Sequence, residues 1–171
     1  MTKRLINILL SLFLVSCDNL LPLPIRWGND SFGCKVEGIT MKASSANYFA
    51  RDKPISARIT DSTFYISGSD YNDKLDIAIS LGNIRKKGTY YLDNITGAAS
   101  YENRNYPSTS YKTYNQYGGQ VHITKFDVKN KIVSGTFSFK AAKVDISVYP
   151  NTLDTTKVIE ITRGRFDVNL K

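Results

Sequence analysis

From Ser31 to Leu170 the apolar residues of this chain recur at every second position. Leu75, Ile77, Ile79 and Leu81 alternate with Asp76, Ala78 and Ser80. Phe137 and Phe139 alternate with Thr136, Ser138 and Lys140, and Phe166, Val168 and Leu170 with Arg165, Asp167 and Asn169. Successive side chains of an extended strand point to opposite faces, so this period buries one face and wets the other. The runs are rich in Ile, Val, Thr, Tyr and Phe, which suit a pleated, half-buried surface. The pattern predicts strands over 31–37, 39–44, 55–60, 62–68, 74–83, 87–92, 97–103, 118–128, 131–141, 143–149 and 157–170. Asp70-Tyr71-Asn72-Asp73 and Lys129-Asn130-Lys131 read as turns between neighbours. The connections are short, which implies antiparallel pairing. A short helical turn is best accommodated at Ser44 to Asp52, and no long helix is expected. The fold class is therefore all-β: an antiparallel β-sandwich or barrel-like curved sheets of about 10–12 strands with little helix.

One segment echoes another. Ile123-Thr124-Lys125-Phe126-Asp127-Val128 returns as Ile161-Thr162-Arg163-Gly164-Arg165-Phe166-Asp167-Val168, with Arg163-Gly164 added. Two extra residues in a strand predict a bulge or kink there.

The N-terminus has a different logic. Met1-Thr2-Lys3-Arg4 is basic, and Leu5 to Val15 is apolar except for Asn7 and Ser11. That is the layout of a secretory signal, and it is shorter than the ~20 residues a membrane-spanning helix needs. Leu14-Val15-Ser16-Cys17 then has the form of a lipobox. Cleavage between Ser16 and Cys17 and a thioether-linked diacylglycerol on the Cys17 thiol are the expectation. Acylation of the new amino group is expected as well. Each buried methylene adds roughly 0.8 kcal/mol of membrane affinity, so two or three chains hold a protein stably. The organisation expected is a signal peptide over 1–16, a lipidated cysteine and tether over 17–30, and a single β domain over 31–171. Pro22 and Pro24 favour an extended tether.

Charge narrows the partners. The formal net charge of +8 falls to +6 when Lys3 and Arg4 leave with the signal. The basic residues are spread along the chain, with the densest cluster at Arg85-Lys86-Lys87. Export argues against nucleic acid as a partner. A charged turn beside a strand is ordinarily just solvated; anionic glycans or lipid head groups are what such a surface would otherwise attract.

The sequence offers little for catalysis. The two cysteines are Cys17 and Cys34, and with Cys17 lipidated no intramolecular disulfide is available. Cys34 then reads as a small buried apolar residue. The only histidine, His122, sits mid-strand between Val121 and Ile123, which disfavours a Ser-His-Asp triad and leaves too few ligands for a His/Cys zinc site. Asp70, Asn72, Asp73 and Asp76 fail the spacing of an EF-hand, because Lys74 stands where an oxygen ligand belongs. Two of the fifteen acids could meet as a hydrolase pair, but nothing nominates which. No catalytic residue, metal or cofactor is expected. One stretch does suit a binding surface: Tyr101, Tyr106, Tyr111, Tyr114 and Tyr117 lie among Asn, Ser, Thr, Lys and Gln. Tyr106, Tyr111 and Tyr114 are the candidate ligand-binding residues, since exposed rings beside hydrogen-bonding groups suit sugars or a protein partner. The structural alternative is a connection or edge hairpin whose tyrosines cover the end of the core.

Phe32-Gly33-Cys34-Lys35-Val36-Glu37-Gly38, Gly88-Thr89-Tyr90-Tyr91, Gly119-Gln120-Val121-His122-Ile123-Thr124, Ser134-Gly135-Thr136-Phe137-Ser138-Phe139 and Ile161-Thr162-Arg163-Gly164-Arg165-Phe166-Asp167 follow one another behind the lipobox. In that order they resemble a family of uncharacterised Bacteroidota lipoproteins, over nearly all of the mature chain. The resemblance implies an all-β domain anchored in the cell envelope, at the outer membrane, and no established activity. It also implies a lineage that attaches O-glycans at Asp-Ser/Thr-apolar/Thr, a pattern met by Asp61-Ser62-Thr63 and Asp154-Thr155-Thr156; Ser62 and Thr155 are the candidate acceptors, and both positions read equally as turns. The function expected is a lipid-anchored envelope protein with a non-enzymatic binding or structural role. The alternatives are a glycan-binding accessory protein using residues 101–117, a carrier of a small apolar ligand, and an unrecognised hydrolase.

Overall fold

The computed structural model describes residues 21, 28–45, 53–114, 116–147 and 150–171. The lipobox, the signal segment, most of the tether and all but the first two residues of the 44–52 segment lie outside those residues. Eleven strands make one antiparallel sheet that curls into a half-barrel. They are β1 (Ser31–Val36), β2 (Ile39–Lys42), β3 (Ile55–Thr60), β4 (Thr63–Asp70), β5 (Leu75–Leu81), β6 (Gly88–Tyr91), β7 (Gly97–Asn103), β8 (Thr109–Lys112), β9 (Gly119–Asp127), β10 (Ile132–Asp145) and β11 (Thr152–Asn169). The main path runs β2-β1-β11-β10-β8-β7-β5-β4-β3, with β9 and then β6 branching from β10. Of the two architectures expected, the barrel-like one is formed.

The fork has a simple cause. β11 pairs with β10 from Ile132↔Asn169 to Asp145↔Thr152, so one edge of β10 is fully used. Its other edge is divided: residues from Ile132 to Phe139 pair with β9, and Ala142 and Lys143 pair with β8. At the far side the curl brings its margins together. Ser44, just past β2, bridges Asp70 at the end of β4, and the Lys171 N–H donates to the Ala57 carbonyl on β3 at 3.1 Å.

Two strands differ from expectation. β8 went unanticipated because Thr109-Ser110-Tyr111-Lys112 is too polar to show a buried face in sequence. β10 is one strand where two were expected, because Ala141 and Ala142 are both fully buried and the alternation lapses there without a turn. The Arg163-Gly164 addition does produce a bulge. The register shifts on both edges of β11, between Phe137 and Phe139 on β10 and between Gly33 and Lys35 on β1, and Arg163 takes a positive φ of 53°.

The inner face forms one continuous core. Phe137 is its hub, with ring centroids 5.2 Å from Phe32, 6.3 Å from Phe139 and 6.4 Å from Phe166. These rings are seated on glycines. Gly135 pairs with Phe166, and Phe137 pairs with Gly164, so each strand offers a ring where the other offers bare backbone. A methyl group on Gly135 would stand 2.8 Å from Cζ of Phe166, and one on Gly164 would stand 2.5 Å from Cγ of Phe137. A ring lying over a cross-strand glycine covers backbone that has no side chain of its own. The interior is thus filled with side chains, and the open space lies at the ends of the barrel and on its outer face.

Residues 28–30, the last of the expected tether, join the barrel at one end. The buried Asp167 carboxylate accepts the N–H groups of Gly28 at 2.9 Å and Asn29 at 3.1 Å, and the Ser134 hydroxyl at 2.6 Å. Asp30 accepts the Asn169 N–H at 2.9 Å, and the Asn169 side-chain amide donates to the Gly28 carbonyl. This end, which also holds the β3–β4 and β9–β10 turns and Lys171, is called the tether end below. The β1–β2 and β4–β5 turns mark the opposite, far end.

Candidate functional site

A broad depression lies on the outer face of β3, β4, β5, β7 and β8. Here the period-two rule gives the inner positions to Ala57, Ile66, Ile79 and Ala99 and leaves the outer ones to small residues. Register then lines those small residues up. Ser56 pairs with Ser67, Ser67 with Ala78, Ala78 with Ser100, and Ser100 with Lys112. In the next row Arg58 pairs with Tyr65, Tyr65 with Ser80, and Ser80 with Ala98. The result is a trough of about 520 Å³ crossing five strands, with a floor of hydroxyls and methyls.

Larger side chains wall it. At one side the Arg58 guanidinium lies 4.9 Å from the centre of the Tyr65 ring. At the other stand Lys112 and Asn94. Asn94 is held by its turn: the Asp93 carboxylate accepts the N–H groups of Ile95 at 2.9 Å and Thr96 at 2.7 Å. Those donors, Thr96 first, hold the Asp93 carboxyl down at about 2, so the turn keeps its charge at neutral pH. Beyond β8 the strand pairing is completed by Thr113, whose buried hydroxyl accepts the Ala99 N–H at 2.9 Å. Neither Arg58 nor Lys112 is ion-paired among the described residues.

The candidate tyrosines are placed apart. Tyr106 is fully exposed, between β7 and β8. Tyr111 differs from the expectation of exposure: it points inward and packs on buried Tyr101, ring centroids 5.9 Å apart, because odd positions of β8 face the core. Burial raises the Tyr101 hydroxyl above its usual value, with the neighbouring Tyr111 adding to it. Tyr114 is 45% exposed and shares a tight turn with Tyr117. The three do not share one outward face. The segment reaches the trough through Lys112 instead.

The remaining residues singled out from sequence also have definite places. Cys34 is fully buried, and burial pushes its thiol up to about 12, so it is a protonated core side chain. His122 is exposed on the outer face of β9, its Nδ1 3.0 Å from the Thr89 hydroxyl. The Asp70 carboxylate is occupied by the Ser44 hydroxyl and the Asn72 and Asp73 N–H groups, while Asp76 pairs with Arg104 at 2.6 Å. That loop is a hairpin turn. Ser62 is half-buried in the β3–β4 turn, and Thr155 is exposed on β11, its carbonyl accepting the Tyr117 hydroxyl at 3.2 Å. Cys17 and Ser16 lie outside the described residues.

A small pocket of about 340 Å³ opens at the far end, lined by Val36, Ile39, Met41, Leu75, Tyr111 and Ile159 among others. Sequence reasoning passed over the trough because each of its strands contributes only one or two small residues. Only the register between strands reveals that they form a row.

The described residues thus form one curled all-β sheet with a packed core and a trough on its outer face. Residues 39–167 match the family described as a domain of unknown function, DUF6252, and the chain belongs to that family. No curated protein and no solved structure matches the chain.

Proposed function

We propose that this chain is a lipid-anchored envelope protein of the Bacteroidota lipoprotein kind, held by Cys17, that binds a hydroxyl-rich anionic chain such as an acidic glycan in its outer trough. The role is non-enzymatic. The observation that carries this reading is the in-register row of small residues between Tyr65 with Arg58 and Lys112. Six small side chains, Ser56, Ser67, Ala78, Ser80, Ala98 and Ser100, leave room above the strands for a ligand. A flat chain laid across them meets four serine hydroxyls, the stacked Arg58 and Tyr65 pair, and Lys112. Arg and Lys attract the carboxylate or sulfate of an acidic sugar, and Tyr supplies contact area at little entropic cost.

The test is a glycan array followed by calorimetry on the lipid-free chain from Cys17 onward with Cys17→Ser. Acidic oligosaccharides should bind, and Ala78→Trp, which fills the trough from an exposed position, should abolish binding with an unchanged circular dichroism spectrum. Undiminished binding by Ala78→Trp and Tyr65→Ala would move the site elsewhere. The anchor is tested separately: Cys17→Ala should leave an uncut precursor that takes up no labelled fatty acid. A second reading, carriage of a small apolar ligand, draws support from the far-end pocket, and an apolar fluorescent probe displaced by Ile159→Trp would favour it.

A further inference from the structure

The tether end of the barrel carries an apolar depression of about 580 Å³ lined by Ile59, Ile84, Phe126, Val128 and Leu170. Its rim is cationic: Arg85, Lys131 and Lys171 stand around it, and no Asp or Glu lines it. Lys86, Lys87 and Lys129 project from the same turns and are exposed; the aspartates at this end are Asp61 and Asp127, with Asp30 and Asp167 engaged by the Asn169, Gly28 and Asn29 N–H groups. Asp127 is turned onto Asn130, accepting its side-chain amide at 2.8 Å. Val128 is 58% exposed at the edge of the depression.

We infer that this end docks on the anionic head-group surface of the membrane that holds the anchor. Two observations choose that occupant. The charge pattern is complementary to anionic lipid, with apolar side chains in the centre to enter the interface and cations around them to meet phosphates. The chain also arrives here. Gly28 and Asp30 are bonded beside Asn169, next to Leu170 and Lys171, and only the ten residues 18–27 separate Gly28 from Cys17. Fully extended, that stretch reaches at most roughly 40 Å, so the end that receives the tether is the one kept closest to the bilayer. The inference rests on the anchored reading for its geometry, yet the contact itself needs no lipid on Cys17. It leaves the far end and the trough on the flank turned toward solvent. It also excludes a glycan on Ser62, which lines the same depression.

The experiment uses the lipid-free chain from Cys17 with Cys17→Ser, which removes none of the described residues. Sedimentation is measured with vesicles of pure phosphatidylcholine and with vesicles containing phosphatidylglycerol. Binding to the anionic vesicles only, weakening with salt, is expected. Arg85→Glu/Lys131→Glu/Lys171→Glu should weaken it on the order of a hundredfold or more, and Val128→Asp alone should weaken it about tenfold, both with unchanged circular dichroism. Absence of binding to the anionic vesicles, or equal binding by the triple variant, would overturn the inference. Loss in the triple variant with none in Val128→Asp would also overturn it, since that is general attraction of a basic protein rather than docking through this face. Labelling of Cys17 in cells decides the anchor independently, so failure of one reading leaves the other measurable.

Discussion

Gly164→Ala adds one methyl group to the domain against the Phe137 ring. The new Cβ would lie 2.5 Å from Cγ of Phe137, where unstrained carbons sit about 3.5–4.0 Å apart. Phe137 cannot swing aside, because Phe32, Phe139 and Phe166 hold it on three sides. Overpacking of this kind costs about 1–3 kcal/mol. Gly164 is not among the residues with positive φ, so the backbone accepts alanine, and the stiffer unfolded chain returns about 0.5 kcal/mol. The net expectation is a loss of about 1–2 kcal/mol. With a urea m-value near 2 kcal/mol/M, the midpoint should fall by about 0.5–1 M at unchanged slope. Phe137→Leu makes room for the methyl group, so the double variant should be less destabilised than the sum of the singles by about 1 kcal/mol. A Gly164→Ala variant as stable as its parent, or strict additivity, would refute the ring-over-glycine seating and with it the register of β10 on β11.

Three other outcomes follow from the same coordinates. Asp167→Ala leaves the Gly28 and Asn29 N–H groups and the Ser134 hydroxyl without their acceptor; it should cost about 3 kcal/mol and speed amide exchange at 28 and 29, seen by hydrogen-exchange mass spectrometry. Asp93, Asp127, Asp145 and Asp154 all have lowered carboxyl pKa values, from backbone and side-chain donors in their own turns. Lowered folded values mean stability present above the unfolded value near 4 and lost as pH falls through the folded values, about 2 for Asp93, so thermal midpoints should be flat from pH 7 to 5 and decline below 4; a decline beginning at pH 6 would contradict this. Tyr106→Ser should leave stability within about 0.5 kcal/mol of the parent, whereas Tyr111→Ser, which strips a ring from Tyr101, should cost about 2 kcal/mol or more in chemical denaturation.

Most of the fold was legible because most strands obey a strict period and end at recognisable turns. Leu75 to Leu81 and Phe166 to Leu170 declare their inner faces outright, and Arg163-Gly164 declares its bulge. What escaped notice was set by pairing rather than by local pattern. β8 has no apolar stripe and is a strand because β7 and β10 both accept its backbone. The barrel outcome depended on β10 dividing one edge between two partners, which no single segment encodes. The candidate site was less legible still. Sequence pointed to the tyrosines, the chemically loudest residues of the 101–117 stretch, yet inward alternation on β8 takes Tyr111 out of the outer face. The trough is made of the quietest residues, Ser67, Ala78, Ser80, Ala98 and Ser100, and its meaning resides in their adjacency.

The pairing of the first strand with the last imposes an order in time. Hairpins such as β3–β4, β4–β5 and β10–β11 join neighbours in the chain and can form as soon as both halves exist. β1 has no such neighbour beyond β2; its main partner begins to match it at Ile161 and finishes at Asp167. Closing that long loop is slow, since distant contacts pay their entropy before they are rewarded. A chain emerging N-terminus first therefore holds Phe32, Cys34 and Met41 without their core until almost its last residue has appeared. The domain cannot lock early. It closes only when β11 is available to pair with β1.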